Sequence, residues 1–112
     1  MSDLNFLEKR RFEKLLDMER GYVLRFSNRT FQEFVIDSVQ RDIYCGKYGH
    51  ASCSKANLLR KFWMVEPNHL VGKLLDDLVE LAKEESSHRT DNTLIEECKR
   101  IAQRLRQGAP VE

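Results

Sequence analysis

Apolar residues recur every three or four positions in two stretches of the chain's second half. The first is Leu70, Val71, Leu74, Leu75, Leu78, Val79 and Ala82, and the second is Leu94, Ile95, Cys98, Ile101, Ala102 and Leu105. That spacing places each set on one side of an α-helix, and a stripe that wide needs protein to cover it. Two such stripes predict a pair of helices packed antiparallel. They also set the fold class: an all-α, compact bundle of about five helices, with a long loop between the second and third.

The rest of the chain fits this plan. A first helix runs roughly from Leu4 to Met18, with Leu7, Phe12, Leu15 and Leu16 as its apolar side and Gly21 to close it. Tyr22-Val23-Leu24-Arg25-Phe26 has strand-like composition but no partner strand, so it reads as an extended connector packed on the core. Thr30 and Glu33 form a capping box that opens a second helix, with Phe31, Phe34, Val35 and Val39 on one face. Residues 42–53 hold two glycines and small polar residues and read as a loop. A third helix opens near Ser54 and buries Leu58, Leu59, Phe62 and Trp63. Pro67 stands where a fourth should start. Ser86-Ser87-His88 marks the next break, and the fifth helix begins at Asp91 or Asn92 and stops at Gly108 and Pro110. Residues 1–107 thus read as a single helical domain and 108–112 as a tail or the start of a linker.

A chain of 112 residues fits one domain. Hydrophobic residues at 41% suit a globular core, and charged residues at 33% suit a well-solvated surface. The net charge of +1 supplies no global field toward nucleic acid or membrane. Regionally the balance is uneven: residues 21–65 carry seven bases and three acids, and residues 66–90 carry three bases and six acids. Three cysteines cannot form a complete disulfide set within one chain. The start lacks an apolar signal region, and no apolar run reaches bilayer length. These features point to a reducing cytoplasm and away from the membrane.

Candidate chemistry is sparse. Cys45, His50 and Cys53, with His69 further on, are the right residue types for zinc. The close cysteine pairing of structural zinc sites is missing, however, so two free thiols and a loop histidine outweigh a metal. A nucleophilic Cys45 or Cys53 served by His50 lacks any accompanying oxyanion arrangement. Cys98 falls on the apolar stripe of the fifth helix and reads as core. Asp76-Asp77, Glu84-Glu85 and Glu96-Glu97 read as solvated surface, because neighbours in sequence diverge on a helix. No phosphate-binding loop, dinucleotide turn or serine elbow is present. No enzyme activity and no cofactor is expected.

Binding is the better reading. Eight of the ten aromatic residues lie between Tyr22 and Trp63, interleaved with bases. Their helical spacing assigns Phe31, Phe34 and Phe62 to the core, whereas Tyr44 and Tyr48 flank Lys47 in the loop and are the best candidates for exposed contacts. The expected interaction surface is therefore Arg41, Tyr44, Lys47, Tyr48, Arg60 and Lys61, on the 40–55 loop and the outer side of the third helix. A nucleic-acid alternative uses Arg25, Arg29, Lys47, Arg60 and Lys61, with aromatics for stacking. A helix-turn-helix does not fit, because about fourteen residues separate the second and third helices where that motif has roughly three or four. Whether the chain is a monomer or a homodimer stays open at this level.

Gly21-Tyr22-Val23-Leu24-Arg25-Phe26-Ser27-Asn28-Arg29-Thr30-Phe31, Asp42-Ile43-Tyr44 and Ser54-Lys55-Ala56-Asn57-Leu58-Leu59-Arg60-Lys61-Phe62-Trp63 form a distinctive pattern. It resembles the small helical modules found at the N-terminus of bacterial abortive-infection and other phage-defence proteins, ahead of an effector domain. The resemblance covers roughly residues 8–82. It implies an interaction or sensing module whose partner is a protein, either an effector domain or another chain, and it brings no catalytic residues with it. Gly108-Ala109-Pro110 then reads as the beginning of a linker.

Overall fold

The computed structural model describes residues 4–18, 21–49, 53–85 and 92–107. Among these the chain forms five helices: α1 Phe6–Leu15, α2 Asn28–Val39, α3 Lys55–Val65, α4 Asn68–Glu85 and α5 Asn92–Gln107. No strand occurs among the described residues, so the expected all-α bundle is the fold. The break at 86–88 and the stop at Gly108 and Pro110 lie outside the described residues.

The α4–α5 pair is built as its stripes require. Val71, Leu74, Leu75, Leu78, Val79 and Ala82 are buried, as are Ile95, Cys98, Ile101, Ala102 and Leu105. Burial pushes the Cys98 thiol up to about 12, as expected of a core residue. The helices run antiparallel: Gly72 near the start of α4 meets Ala102, Leu105 and Arg106 near the end of α5, and at mid-helix Asp76 pairs with Arg106 at 2.5 Å and Lys99 at 2.8 Å. Gly72 sets their spacing. A Cβ there would lie 2.6 Å from the backbone nitrogen of Arg106, 2.8 Å from the carbonyl oxygen of Ala102 and 2.8 Å from Cβ of Leu105. Two of those three atoms are backbone and cannot rotate aside.

Asp76 departs from the sequence expectation of solvated surface. It is buried, and two cations from α5 make that tolerable. Its neighbour Asp77 accepts hydrogen bonds from Ser38 Oγ at 2.6 Å and Lys73 Nζ at 2.5 Å, which ties α2 to α4.

α1 is shorter than expected, and Leu7 is not in the core. It is 63% exposed, while Glu8 faces inward. The reason is electrostatic. Arg104 of α5 grips the Glu8 carboxylate with two guanidinium nitrogens at 2.5 and 3.0 Å, a bidentate geometry that satisfies both oxygens. Glu8 also completes a capping box with Asn5, which starts the helix. Arg11 meets Glu97 at 2.7 Å and Glu13 meets Arg60 at 2.8 Å, so α1 is held to α5 on one flank and α3 on the other. Its C-terminus is closed by Asp17 in a left-handed conformation (φ 54°) before Gly21 is reached. The Gly21 carbonyl instead accepts the Ala56 N–H at the start of α3.

The connector packs on the core as expected, with Val23 fully buried, but it is not extended: Leu24 is left-handed (φ 49°) and the Phe26 N–H donates to the Val23 carbonyl, closing a turn. α2, however, begins earlier than the Thr30–Glu33 box predicts. Ser27 is the cap, and Thr30 fills the third-position role by accepting the Ser27 N–H at 2.9 Å. Glu33 is thereby released to pair with Arg29. α3 follows its prediction: Ser54 caps it, and Leu58, Leu59, Phe62 and Trp63 are buried. The Pro67 carbonyl accepts N–H groups from the first turn of α4.

Alanine ordinarily stabilises a helix relative to glycine by about 1 kcal/mol. At Gly72 the sign reverses: G72A is expected to lose roughly 1–3 kcal/mol through overpacking, read by urea denaturation, and a stabilised G72A would refute the close approach. Acid sensitivity follows from the buried carboxylates. Glu8 is held below its ordinary 4.5 mainly by the Arg104 hydrogen bond, and Asp76 below its ordinary 3.8 because its bonds to Lys99 and Arg106 outweigh the opposing effect of burial. Their stabilisation is present above those ordinary values and is lost as pH falls through the lower folded-state values. The melting temperature should therefore drop below about pH 4.5, and D76N should melt lower at neutral pH with a flatter acid limb.

Candidate functional site

α2 ends at Gln40 in a left-handed turn (φ 58°), and residues 40–49 then form a folded loop. Asp42 organises its first part. One carboxylate oxygen accepts the Tyr44 N–H and the Gln32 side-chain amide, both at 2.9 Å. Ile43 is fully buried and anchors the loop.

Tyr48 corrects the sequence reading: it is not an exposed contact but a core residue, 3% exposed. Its ring packs on Phe62 with centroids 5.2 Å apart, and its hydroxyl donates to the carboxylate of Glu66. Burial first, and then the Glu66 carboxylate, push the Tyr48 hydroxyl far above its ordinary range, so it stays protonated and remains a donor. Glu66, at the C-cap of α3, is itself buried and also receives Lys47 Nζ at 3.1 Å. Burial pushes its carboxyl up, but the Tyr48 and Lys47 hydrogen bonds and the charges of Lys47 and Arg41 outweigh that and leave it lowered. A carboxylate held ionised and occupied in this way is a structural pin and a poor proton acceptor.

The structure therefore splits the expected surface. Lys47 pairs with Glu66 over the Tyr48 ring, and Arg41 is near enough for its charge to act on Glu66. Tyr44 is half-buried on the other side, where its hydroxyl donates to Asn28 Oδ1 at 3.1 Å. Lys55 Nζ reaches the same oxygen at 3.3 Å and stands 5.0 Å from the ring of exposed Tyr22. Arg60 is turned toward α1 by Glu13, and Lys61 is exposed on the outer side of α3 near exposed Met64. Of the nucleic-acid set, Arg25 is exposed and Arg29 pairs with Glu33 at 3.2 Å.

Cys45 is exposed and Cys53 half-buried, both as free thiols, while His50 lies outside the described residues. Among the described residues no three His, Cys, Asp or Glu side chains converge as metal ligands. No helix among them is long and apolar enough to cross a membrane.

Sequence reasoning missed Glu66. Its one signal was a lone acid between an apolar helix and Pro67, and a partner eighteen residues upstream is invisible to periodicity. Compared with known proteins, the chain matches no family model, no curated protein and no solved structure.

Removing the Tyr48 hydroxyl leaves a buried carboxylate short of a donor. Y48F should lose about 1–3 kcal/mol in urea unfolding. K47A should lose less, because Lys47 is half-exposed and water can replace it. Equal effects for the two would contradict the buried geometry.

Proposed function

We propose that the chain is a non-catalytic protein-interaction or sensor module acting in the cytoplasm, of the kind that bacterial phage-defence proteins carry ahead of an effector domain. The observation that carries the reading is the two-sided construction of the 40–49 loop. Ile43 and Tyr48 fix it from beneath, Arg41 and Lys47 are exposed, and Tyr44 is half-buried and partly open to solvent. A surface that is already ordered loses little conformational entropy on binding. The resemblance in residues 8–82 supports the same reading, and a protein partner, whether the effector domain or another chain, fits a mixed polar and aromatic patch.

Photo-crosslinking in the native host tests this, with a photoreactive residue replacing exposed Cys45. One protein partner is expected, and R41E combined with Y44A should cut the crosslinked yield about tenfold, with circular dichroism showing that the variant still folds. Undiminished crosslinking in the double variant would remove the loop from the interface.

A nucleic-acid reading is favoured by one arrangement, the Lys55 ammonium over exposed Tyr22, sharing Asn28 Oδ1 with the Tyr44 hydroxyl. Against it, Arg29, Lys47 and Arg60 already have carboxylate partners. Binding of mixed-sequence oligonucleotides that weakens steeply with added salt would favour this second reading over the first.

A further inference from the structure

We propose that the outward side of α1 docks into an acidic groove between α2 and α4 of a second copy of this chain. Phe6, Leu7, Arg10 and Lys14 share that side of α1 at helical spacing. Phe6 and Leu7 are among the most exposed large apolar residues described, and the Arg10 guanidinium lies 5.9 Å from the Phe6 ring centre. Of the two acids of α1, Glu8 is turned away to Arg104, and Glu13 lines the edge of this stripe with its charge paired to Arg60. What faces solvent is a short stripe that is basic and apolar together, along a depression of about 380 Å³.

Its complement is on the same chain. Asp37 of α2 and Asp77, Glu80 and Glu84 of α4 line a groove of about 380 Å³ whose apolar lining comes from Phe34 and Leu81. Lys73 is bonded to Asp77 and Lys99 to Glu80, so the acidic excess of the groove rests on Asp37 and Glu84. The chain's own α1 is held on α5 and α3 by Glu8, Arg11 and Glu13, which leaves both surfaces open to another copy.

Other occupants fit α1 less well. An interfacial membrane helix presents a wide apolar face, whereas Phe12, Leu15 and Leu16 are committed to the core. Nucleic acid would satisfy the cations but set phosphate against Leu7. Because the two surfaces differ, a single contact is head-to-tail and builds rows or rings, unless two copies make it reciprocally about a twofold axis. One helix face in one groove falls below the roughly 1,200 Å² of a stable interface, so association is transient, and it is sensitive to salt.

Sedimentation velocity from micromolar to millimolar protein tests the assembly. At low salt the wild type should associate with rising concentration, and high salt should reverse it. R10E with K14E, D37K with E84K, and L7S alone should each weaken association about tenfold or more. All of these positions are exposed, and circular dichroism confirms that each variant folds. Mixing the two charge-reversed variants in equal amounts should restore assembly, because each then offers the other a complementary surface. A wild type that stays monomeric throughout overturns the proposal. So does assembly indifferent to the reversals, or a mixture that remains dissociated. The Arg41 and Tyr44 substitutions should leave this assembly intact, which separates it from the loop-based reading.

Discussion

The close backbone approach at Gly72 is the constraint on which the rest of the bundle depends. With no side chain there, α5 settles against the backbone of α4. At that separation Asp76 can reach both Lys99 and Arg106. α5 then presents Glu97 and Arg104 where Arg11 and Glu8 of α1 meet them, and α4 presents Asp77 to Ser38 of α2. Four of the five helices are thus registered, directly or at one remove, on one interhelical distance. A methyl group at position 72 would be felt in all of these contacts, because packed interiors transmit displacement instead of absorbing it.

Three carboxylates carry the polar side of this arrangement. Glu8, Glu66 and Asp76 are buried at three different junctions, α1 with α5, the loop with α3, and α4 with α5. Glu8 and Glu66 each accept from two residues, Asp76 accepts from Arg106 and is ion-paired with Lys99, and all three are held in the charged form. Such sites add little to stability relative to apolar packing, but losing one partner is costly, so they discriminate strongly between one register and another. Strongly perturbed acids in clefts often mark active sites. For these three acids every shift favours the ionised form, with cations or hydrogen-bond donors set against the carboxylate, which suits a positioning role.

The sequence made the α4–α5 pair legible because two wide stripes at one period allow few other foldings. It was less informative wherever a distant charge decided the outcome. Leu7 and Glu8 are adjacent, and apolar character favours Leu7 for the core. Arg104 reverses that choice from ninety-six residues away. Asp76 looked like half of a solvated pair until α5 supplied its cations. At α2 the error was local: Ser27–Thr30 and Thr30–Glu33 are competing caps, and a threonine can take the third-position role in place of glutamate. Gly72 gave no warning, since a lone glycine in a helical stripe looks like a mild defect until the opposing backbone is known.

One member of the expected interaction surface, Tyr48, belongs to the interior. Phe31, Phe62 and Trp63 are buried as their helical spacing requires, and Tyr48, read as an exposed contact, joins them. In a chain this small, most large rings are needed to fill the interior, so aromatic density follows core position more closely than binding. The apolar groups left outside are the better pointers. Phe6 and Leu7 are exposed on α1 because Glu8 has taken the inward place between them and Phe12, and Glu8 can do so because Arg104 neutralises it. The ion pair that fixes α1 to α5 therefore also orients its outer side. A partner docking on that side meets a helix already tied down at Glu8, Arg11 and Glu13, and its binding energy need not go into ordering α1.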